Sequence, residues 1–211
     1  MNKPALQTCP GLDSAFIHAH KNFGSGTILE FGVGGGFSYS WLAWNISKYY
    51  PHDNLIGFDS WQGLPAETKN VWHPEFHKKG NYKHEKIFVY NRAKELGVSI
   101  EGDPRFKIVD GFFSDSLTPE LRSTIENVIL INSDIDLHSS AIEWLNWVKP
   151  LLRPGVVVYT DDWKFPTIKE APDRCGVSLA FEEWLLENSS VKLKTVWECK
   201  TSQRFFEVAS V

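Results

Sequence analysis

The sequence TILEFGVGGGFSYS occupies residues 27–40 and decides how the chain begins to fold. A short apolar run around one acid, Glu30, leads into a glycine-rich turn, and an amphipathic segment follows over residues 37–49. The spaced glycines of the turn are Gly32, Gly34 and Gly36. This order predicts a strand, a tight turn and a helix, which is the opening unit of a doubly wound α/β domain.

The glycine turn predicts a ligand site as well as a change of direction. Glycines let the backbone approach a ligand closely, and the first N–H groups of the new helix are unpaired. No Lys-Ser or Lys-Thr pair follows the glycines, so a phosphate-binding P-loop is excluded. An acid followed by spaced glycines after a strand is typical of S-adenosylmethionine-dependent methyltransferases. A purely structural glycine turn is the alternative.

The whole chain has the size and composition of one globular domain. It contains 211 residues with 42% hydrophobic and 23% charged side chains, so residues 1–211 are expected to form a single domain. A net charge of −4 without a lysine or arginine cluster argues against a nucleic-acid or anionic-membrane partner. No apolar run approaches the roughly 20 residues of a membrane span. Three well-separated cysteines without a C-x-x-C pair suit a reducing, cytoplasmic environment.

A second strand is predicted at residues 54–58, NLIGF, and it ends in Asp59. In nucleotide-binding α/β folds an acid at this point holds the ribose, because a carboxylate accepts two hydrogen bonds from a vicinal diol. Asp59 lies about thirty residues after Glu30, which suits a strand–helix–strand unit. The alternative is that Asp59 caps the next turn through Ser60 and Gln62.

Two segments are predicted to cover the site. Residues 1–26 contain a short helix that we expect over the cofactor pocket. Residues 66–82 form a polar, irregular loop, which is typical of a lid or substrate loop. His73 and His77 in this loop have a spacing that suits one helical face, but Pro74 interrupts it. We therefore expect solvated loop histidines rather than metal ligands.

A third strand is predicted at residues 106–110, FKIVD. Its carboxyl end lies near the adenine in a fold of this type, so Asp110 and Gly111 are expected beside the base, and Asp110 or Ser114 is expected to contact its amino group. Two interpretations are open for the aromatic pair that follows, Phe112 and Phe113. They contact the face of the adenine, or they pack in the core.

Two strands later in the chain each end in a pair of acids. VILINS is followed by Asp134 and Asp136, and VVVY is followed, after one threonine, by Asp161 and Asp162. Because ligands of open α/β sheets bind at the carboxyl ends of strands, these four side chains are expected to converge. Crowded carboxylates repel one another, and a divalent cation is the simplest way to keep them ionised.

The remaining segments complete the predicted fold. Helices are predicted over residues 83–96, 117–125, 140–149 and 177–187, and the last strands over residues 191–198 and 204–208. Two late strands so close together suit an antiparallel hairpin at the edge of a sheet. The fold class is therefore α/β, with a doubly wound, mostly parallel seven-stranded Rossmann-like sheet and an antiparallel C-terminal hairpin.

The order of the motifs ILEFGVGGGFS, GFDSWQGLP, SDIDLHSS and PGVVVYTDDW resembles the macrocin O-methyltransferase family of class I S-adenosylmethionine enzymes. Members of that family methylate sugar hydroxyls on natural products with the help of a divalent metal. The resemblance spans roughly residues 28–163 and is most specific in the Asp-Ser-aromatic-x-Gly-Leu-Pro and Asp-Asp-aromatic segments. One departure is that the family's Asp-Gly-Asp-Leu-Tyr is DIDLH here, starting at Asp134.

The resemblance implies roles for particular residues. Asp134, Asp161 and Asp162 would hold a Mg²⁺ ion, and Asp134 would also serve as general base. His138 is a second catalytic candidate. The implied cofactor-binding residues are Glu30, Gly32, Gly34, Gly36, Ser38, Asp59, Asp110, Gly111 and Asp134. The alternative is that Asp161 and Asp162 cap the loop that follows them, while Asp134 binds the methionine end of the cofactor.

The sequence therefore predicts an S-adenosylmethionine-dependent, Mg²⁺-assisted O-methyltransferase that acts on a hydroxyl of a small molecule such as a sugar. One alternative keeps the cofactor without the metal, as in an N- or carboxyl-methyltransferase. Another is an NAD-dependent oxidoreductase, which the glycine turn and Asp59 also suit but which leaves the four acids unexplained. A third is a non-catalytic protein that retains the fold. A homodimer is compatible with the family resemblance, although no residue demonstrates it.

Overall fold

A computed structural model describes residues 10–67, 75–163, 175–199 and 202–211 of the chain. Strands and helices alternate along these residues. The strands are β1 (Thr27–Phe31), β2 (Asn54–Asp59), β3 (Phe106–Asp110), β4 (Val128–Ser133), β5 (Val157–Thr160), β6 (Lys192–Glu198) and β7 (Arg204–Ser210). The helices are α1 (Pro10–Phe23), α2 (Phe37–Tyr49), α3 (Ile87–Glu95), α4 (Phe113–Ser116), α5 (Pro119–Ser123), α6 (His138–Val148) and α7 (Gly176–Glu187), and a 3-10 turn, Lys149–Leu151, follows α6.

The strands form one seven-stranded sheet in the order β3-β2-β1-β4-β5-β7-β6. β1 pairs in parallel with β2 and β4, and parallel pairing continues to β3 on one side and β5 on the other. The last strand, β7, runs antiparallel between β5 and β6. The predicted α/β class, with its mostly parallel sheet and antiparallel C-terminal hairpin, is confirmed.

The direction in which the sheet grows reverses between β1 and β4. After β1 the chain builds outward through β2 and β3, and it then crosses to β4 on the other side of β1. In doubly wound sheets this reversal leaves a crevice at the carboxyl ends of the two central strands. The fold therefore places the glycine turn after β1 and the acids after β4 at one crevice.

Two hydrophobic cores lie on opposite faces of the sheet. Successive residues of β1 point to opposite faces, so Ile28 belongs to the core with α1, α2 and α3, whereas Leu29 belongs to the core with α6 and α7. All of β4 is buried, as expected of a central strand that is covered on both faces. No helix in the described ranges is long and apolar enough to cross a membrane.

Helix boundaries differ from the prediction where local capping intervenes. The segment predicted as one helix over residues 117–125 forms α5 only from Pro119, and α4 precedes it. Thr118 lies at the N-cap of α5 and accepts a hydrogen bond from the backbone N–H of Leu121 at 3.1 Å. Proline favours the first turn of a helix and threonine its N-cap, so these residues start a new helix rather than continue an earlier one.

The segments predicted to cover the site are described only in part. Residues 1–9 and 68–74, the latter with His73, lie outside the described residues. The described part of the N-terminal segment is α1, which packs against the sheet through residues such as Leu12 and Phe16. The helix predicted over residues 83–96 begins later, with α3.

Candidate active site

A cleft of about 600 Å³ opens at the carboxyl ends of β1, β2 and β4. Its walls come from the segments that follow these strands and β3, and from one face of α6. Among the residues predicted from the sequence, the lining includes Gly32, Gly34, Ser38, Asp59, Gly111, Asp134 and Asp162. Glu30, Gly36, Asp110, His138 and Asp161 lie outside the lining, and so do the described residues of α1.

Gly32 occupies a position that only glycine fits. Its φ is +85°, and a Cβ placed there would lie 1.8 Å from the backbone oxygen of Asp134. The backbone N–H of Asp134 donates to the oxygen of Phe31 at 2.9 Å. The backbone of the turn after β1 therefore packs directly against the backbone at the end of β4. Gly32 and Asp134 both line the cleft at this point.

Asp59 joins the end of β2 to the glycine turn. Its Oδ2 accepts a hydrogen bond from the backbone N–H of Gly34 at 2.7 Å, and its Oδ1 accepts one from that of Trp61 at 2.8 Å. Asp59 thus caps the following turn through Trp61, whereas Gln62 donates to the Ser60 hydroxyl instead, and Asp59 also lines the cleft. Each carboxylate oxygen has further lone pairs, so the same side chain can accept hydrogen bonds from a ligand diol.

Glu30 is fully buried and reaches the cleft only through Ser38. The Ser38 hydroxyl donates to Glu30 Oε1 at 2.5 Å, and Ser38 itself lines the cleft. Burial, with a further contribution from the Asp134 carboxylate, raises the pKa of the Glu30 carboxyl to about 8. Glu30 is therefore placed to position Ser38 rather than to touch a ligand.

Asp110 lies outside the cleft lining although it ends β3. Its Oδ1 accepts hydrogen bonds from Lys86 Nζ at 2.7 Å and from Trp61 Nε1 at 2.8 Å. These partners, opposed by partial burial, lower the pKa of the Asp110 carboxyl. Of the two residues predicted beside the adenine, Gly111 lines the cleft and Asp110 does not.

Three acids that follow β4 and β5 form a compact group, which we call the acid cluster: Asp134, Asp161 and Asp162. One possible ligand oxygen from each lies within 4.8 Å of the others. Asp134 is exposed in the cleft, whereas Asp162 is buried at the rim of it. The backbone N–H of Asp136 donates to Asp162 Oδ2 at 3.3 Å, so the fourth acid adjoins the same group.

Asp161 is held by neighbours in the sheet. Its Oδ1 accepts hydrogen bonds from the Tyr159 hydroxyl at 2.6 Å and from Gln203 Nε2 at 2.8 Å. Tyr159 belongs to β5 and Gln203 immediately precedes β7. The orientation of Asp161 therefore depends on the antiparallel end of the sheet.

The acid cluster fits a hard divalent cation. Although Asp134 as a residue is exposed in the cleft, the surrounding protein atoms desolvate its carboxyl, as they do that of the buried Asp162, and this raises the pKa of both groups. Repulsion among the neighbouring carboxylates raises both pKa values further. A cation relieves this repulsion, and a set of carboxylate oxygens is what Mg²⁺ and similar ions prefer. These three residues are the ones in the described ranges that could hold such an ion.

His77 is buried, which corrects the expectation of a solvated loop histidine. Its residue exposure is 2%, and its Nε2 lies 3.5 Å from Oδ1 of Asp136. The surrounding loop is anchored by paired backbone hydrogen bonds, from Leu64 N–H to Asn81 at 2.9 Å and from Gly80 N–H to Leu64 at 2.9 Å. Sequence periodicity carries no signal for this arrangement, because an irregular loop sets it.

Two further residues line the cleft: Tyr82, at the end of the loop predicted to cover the site, and His84, to which the sequence interpretation gave no role. Tyr82 has a φ of +57° and lines the cleft. Burial, followed by the Asp136 and Asp162 carboxylates, raises the pKa of its hydroxyl. The His84 ring lies against the glycine turn, 3.6 Å from the point where a Cβ of Gly35 would be. Both residues cover the cleft from the loop that follows β2.

His138 lies between two helices rather than in the cleft. It begins α6, and its Nε2 is 2.7 Å from Oε2 of Glu183 on α7. The cleft lining does not include it. The structure therefore brings Asp134 to the cleft and leaves the second catalytic candidate outside it.

The strand order, the glycine turn after β1 and the acid that ends β2 define the class I methyltransferase fold. The model of the methyltransferase domain family Methyltransf_24 matches residues 29–163. The chain belongs to this methyltransferase domain family. The predicted enzyme class, an S-adenosylmethionine-dependent methyltransferase, is thereby confirmed, and it replaces the NAD-dependent alternative.

Solved structures share the fold at low sequence identity. CalS11, a calicheamicin methyltransferase, is 18% identical with a TM-score of 0.72, and the match covers 93% of this chain and 76% of that chain. The O-methyltransferase NovP is 17% identical with a TM-score of 0.70, covering 94% and 79% respectively. The O-methyltransferase TomG from Streptomyces achromogenes is 22% identical with a TM-score of 0.60, covering 95% and 80%. No curated protein sequence matches the chain.

Proposed function

We propose that the protein transfers a methyl group from S-adenosylmethionine to a hydroxyl of a small molecule, with a divalent cation held by the acid cluster. The observation that carries this proposal is the convergence of three ligand oxygens within 4.8 Å of one another beside the cleft. The mechanism of a metal-independent N- or carboxyl-methyltransferase does not require a group of mutually repelling carboxylates at this position.

The cofactor would lie along the cleft. Asp59 would hold the ribose diol, and the turn from Gly32 to Gly36 would face the methionine end, with Ser38 near its carboxylate. Asp59 and Ser38 both line the cleft, and Asp59 is already oriented by backbone N–H groups. This arrangement leaves Asp134 at the reacting end, since it follows the strand beside the glycine turn.

Methyl transfer breaks the bond between the methyl carbon and the sulfonium sulfur as a bond to the acceptor oxygen forms, and the hydroxyl proton leaves. Asp134 is the member of the acid cluster that is exposed in the cleft, so we assign it as the proton acceptor. A bound cation would lower the pKa of the acceptor hydroxyl and orient its oxygen. His138 is engaged with Glu183, and we give it no part in this proton transfer.

The acceptor is proposed to be a sugar or a natural-product hydroxyl. One structure of CalS11 is named as a TDP-rhamnose 3′-O-methyltransferase, and TomG is described as involved in tomaymycin synthesis. These names support a small hydroxylated acceptor, as does the motif resemblance to macrocin O-methyltransferases. Membership of that narrower family is part of the proposal.

The cofactor site is tested by isothermal titration with S-adenosylhomocysteine, with and without Mg²⁺. We expect micromolar binding by the wild-type protein and a loss of at least about tenfold in Asp59→Ala, because the ribose hydroxyls lose a charged partner. Glu120→Ala on α5, outside the cleft lining, is the matched control. No binding by the wild-type protein under either condition contradicts the proposal.

The role of the cation is tested by following S-adenosylhomocysteine formation with a panel of sugar and polyol acceptors. EDTA should abolish turnover, added Mg²⁺ should restore it, and Asp162→Asn should reduce it strongly. If EDTA leaves turnover unchanged, the metal-assisted mechanism is wrong and the metal-independent alternative takes its place.

A further inference from the structure

Two donors occupy the same oxygen of the Asp161 carboxylate. Oδ1 accepts one hydrogen bond from the Tyr159 hydroxyl at 2.6 Å and another from Gln203 Nε2 at 2.8 Å. The lone pairs of a carboxylate are divided equally between its two oxygens, so two donors use those of Oδ1. Asp161 then meets a cation through Oδ2, as a ligand that contributes a single oxygen.

The Tyr159 hydroxyl is fixed by the packing of its ring. Tyr159 is only 1% exposed and belongs to the core between the sheet and α1. A Cβ added to Gly11 of α1 would lie 2.9 Å from Cε2 of this ring, so the helix packs closely against it. Because the ring cannot turn in such a core, the position of its hydroxyl beside Asp161 is set by the fold.

The Gln203 amide is held by the turn that precedes β7. The backbone N–H of Gln203 donates to Sγ of Cys199 at 3.2 Å, and its backbone oxygen accepts a hydrogen bond from the N–H of Cys199 at 3.0 Å. Neither Gln203 nor Tyr159 lines the cleft. Both residues therefore act on a ligand of the cleft only through Asp161.

Divalent cations differ in how they use a carboxylate. Mg²⁺ requires near-octahedral geometry and keeps several waters beside one or two carboxylates, whereas the larger Ca²⁺ takes more oxygens and often both oxygens of one carboxylate. Asp162 also has an oxygen engaged by the protein, since its Oδ2 accepts from the backbone N–H of Asp136 at 3.3 Å. An acid cluster in which the protein already uses some of the oxygens suits the smaller ion.

We propose that Tyr159 and Gln203 are positioning residues that keep Asp161 a one-oxygen ligand, and that they thereby shift the preference of the acid cluster toward Mg²⁺ and Mn²⁺ and away from Ca²⁺. This inference rests on the proposed function, since it takes the presence of a cation at the acid cluster from it. Without either donor, the Asp161 carboxylate can rotate and offer both oxygens. The affinity for the smaller ions should then fall about 10- to 100-fold, as is usual when a partner that orients a metal ligand is removed.

The test uses Mn²⁺ as its probe, because free and protein-bound Mn²⁺ differ in their electron paramagnetic resonance signals. Displacement of bound Mn²⁺ by Mg²⁺ and by Ca²⁺ measures the preference between these two ions in the wild-type protein, Tyr159→Phe and Gln203→Ala. Tyr159→Phe removes one oxygen atom and keeps the ring that packs under α1. In both variants we expect Mn²⁺ binding to weaken at least about tenfold and the preference to move toward Ca²⁺ by at least about fivefold. The affinity for S-adenosylhomocysteine without metal, measured by isothermal titration, should change less than about twofold, because neither residue lines the cleft.

Tyr39→Phe is the matched control. Tyr39 is also fully buried, and its hydroxyl donates to the backbone oxygen of Lys107 at 3.1 Å, on a strand four positions away from β5 in the sheet. This variant should keep the Mn²⁺ affinity and the ion preference of the wild-type protein. The positioning role is overturned if Tyr159→Phe and Gln203→Ala keep the wild-type preference, whether or not Mn²⁺ binds more weakly. If the wild-type protein binds S-adenosylhomocysteine but no Mn²⁺, the cation of the proposed function is wrong, and this assignment fails with it.

Discussion

Nε2 of His77 lies 3.5 Å from Oδ1 of Asp136, and the His77 side chain is completely buried. Asp136 in turn donates its backbone N–H to Asp162 at 3.3 Å. The loop that carries His77 and Tyr82 is therefore joined to the acid cluster through two residues. Its position over the cleft and the arrangement of the acids depend on each other.

Replacing His77 with alanine should destabilise the protein. The change removes a buried ring and leaves Asp136 without this contact beside other carboxylates, so we expect a loss of about 1–3 kcal/mol in the free energy of unfolding. Urea denaturation measures it. His52→Ala, at an exposed position in the turn before β2, is the control and should change little. Equal effects of the two variants would contradict the structural role of His77.

Gly32→Ala should be far more damaging than an alanine at another glycine of similar φ. Gly24 has a φ of +77°, and no atom of the described residues lies within 4 Å of the position its Cβ would take, whereas at Gly32 the Cβ would lie 1.8 Å from the Asp134 oxygen. Gly24→Ala should cost about 1 kcal/mol through backbone strain alone. Gly32→Ala should cost about 3 kcal/mol or more, or prevent folding, and should weaken S-adenosylhomocysteine binding. Similar melting temperatures for Gly24→Ala and Gly32→Ala would rule out the close approach of Gly32 to the backbone oxygen of Asp134.

Glu30 should make stability fall with rising pH. Its carboxyl has a pKa raised from 4.5 to about 8, so between these values the folded protein holds the proton while the unfolded chain releases it. The unfolded state then binds fewer protons, and the free energy of unfolding decreases until the pH passes the folded pKa. Glu30→Gln should flatten this decrease, which unfolding titrations between pH 4.5 and 8 would measure. An unchanged slope, equal to that of the exposed control Glu95→Gln, would contradict the assignment.

Mg²⁺ should stabilise the folded protein through the acid cluster. A ligand that binds only the folded state stabilises it by about 2.7 kcal/mol at 100 times its Kd, so the melting temperature should rise with Mg²⁺ concentration. Asp162→Asn should lose most of this rise, and the exposed control Asp115→Asn should keep it. NaCl at matched ionic strength separates binding from general screening. If Mg²⁺ raised the melting temperature of the wild-type protein, Asp162→Asn and Asp115→Asn equally, the acid cluster would be excluded as the binding site.

The mostly parallel direction of the strands and the edge of the sheet that carries the site follow from the sequence. The apolar runs 128–133 and 156–159 and the glycine turn identify parallel strands, and residues that follow such strands must meet at one edge. The convergence of Asp134, Asp161 and Asp162 is a consequence of this rule.

The direction of individual side chains does not follow from strand ends alone. Asp110 ends a strand as Asp59 does, but its carboxylate accepts hydrogen bonds from Lys86 and Trp61 and lies outside the cleft lining. Glu143 is an exposed residue of α6 that also lines the cleft, and no local sequence pattern separates it from other exposed helical acids. His77 and Tyr82 belong to an irregular loop, whose conformation depends on contacts with distant segments.

The placement of β7 between β5 and β6 has a consequence for synthesis of the protein on the ribosome. A nascent chain that ends before residue 202 already contains the glycine turn and all of the clustered acids, but it lacks the strand beside β5 and the amide of Gln203 that holds Asp161. Such a chain presents unpaired edges on both β5 and β6, which favour association with other chains. Addition of residues 202–210 pairs β7 with both β5 and β6 and brings the Gln203 amide to Asp161 in the same step.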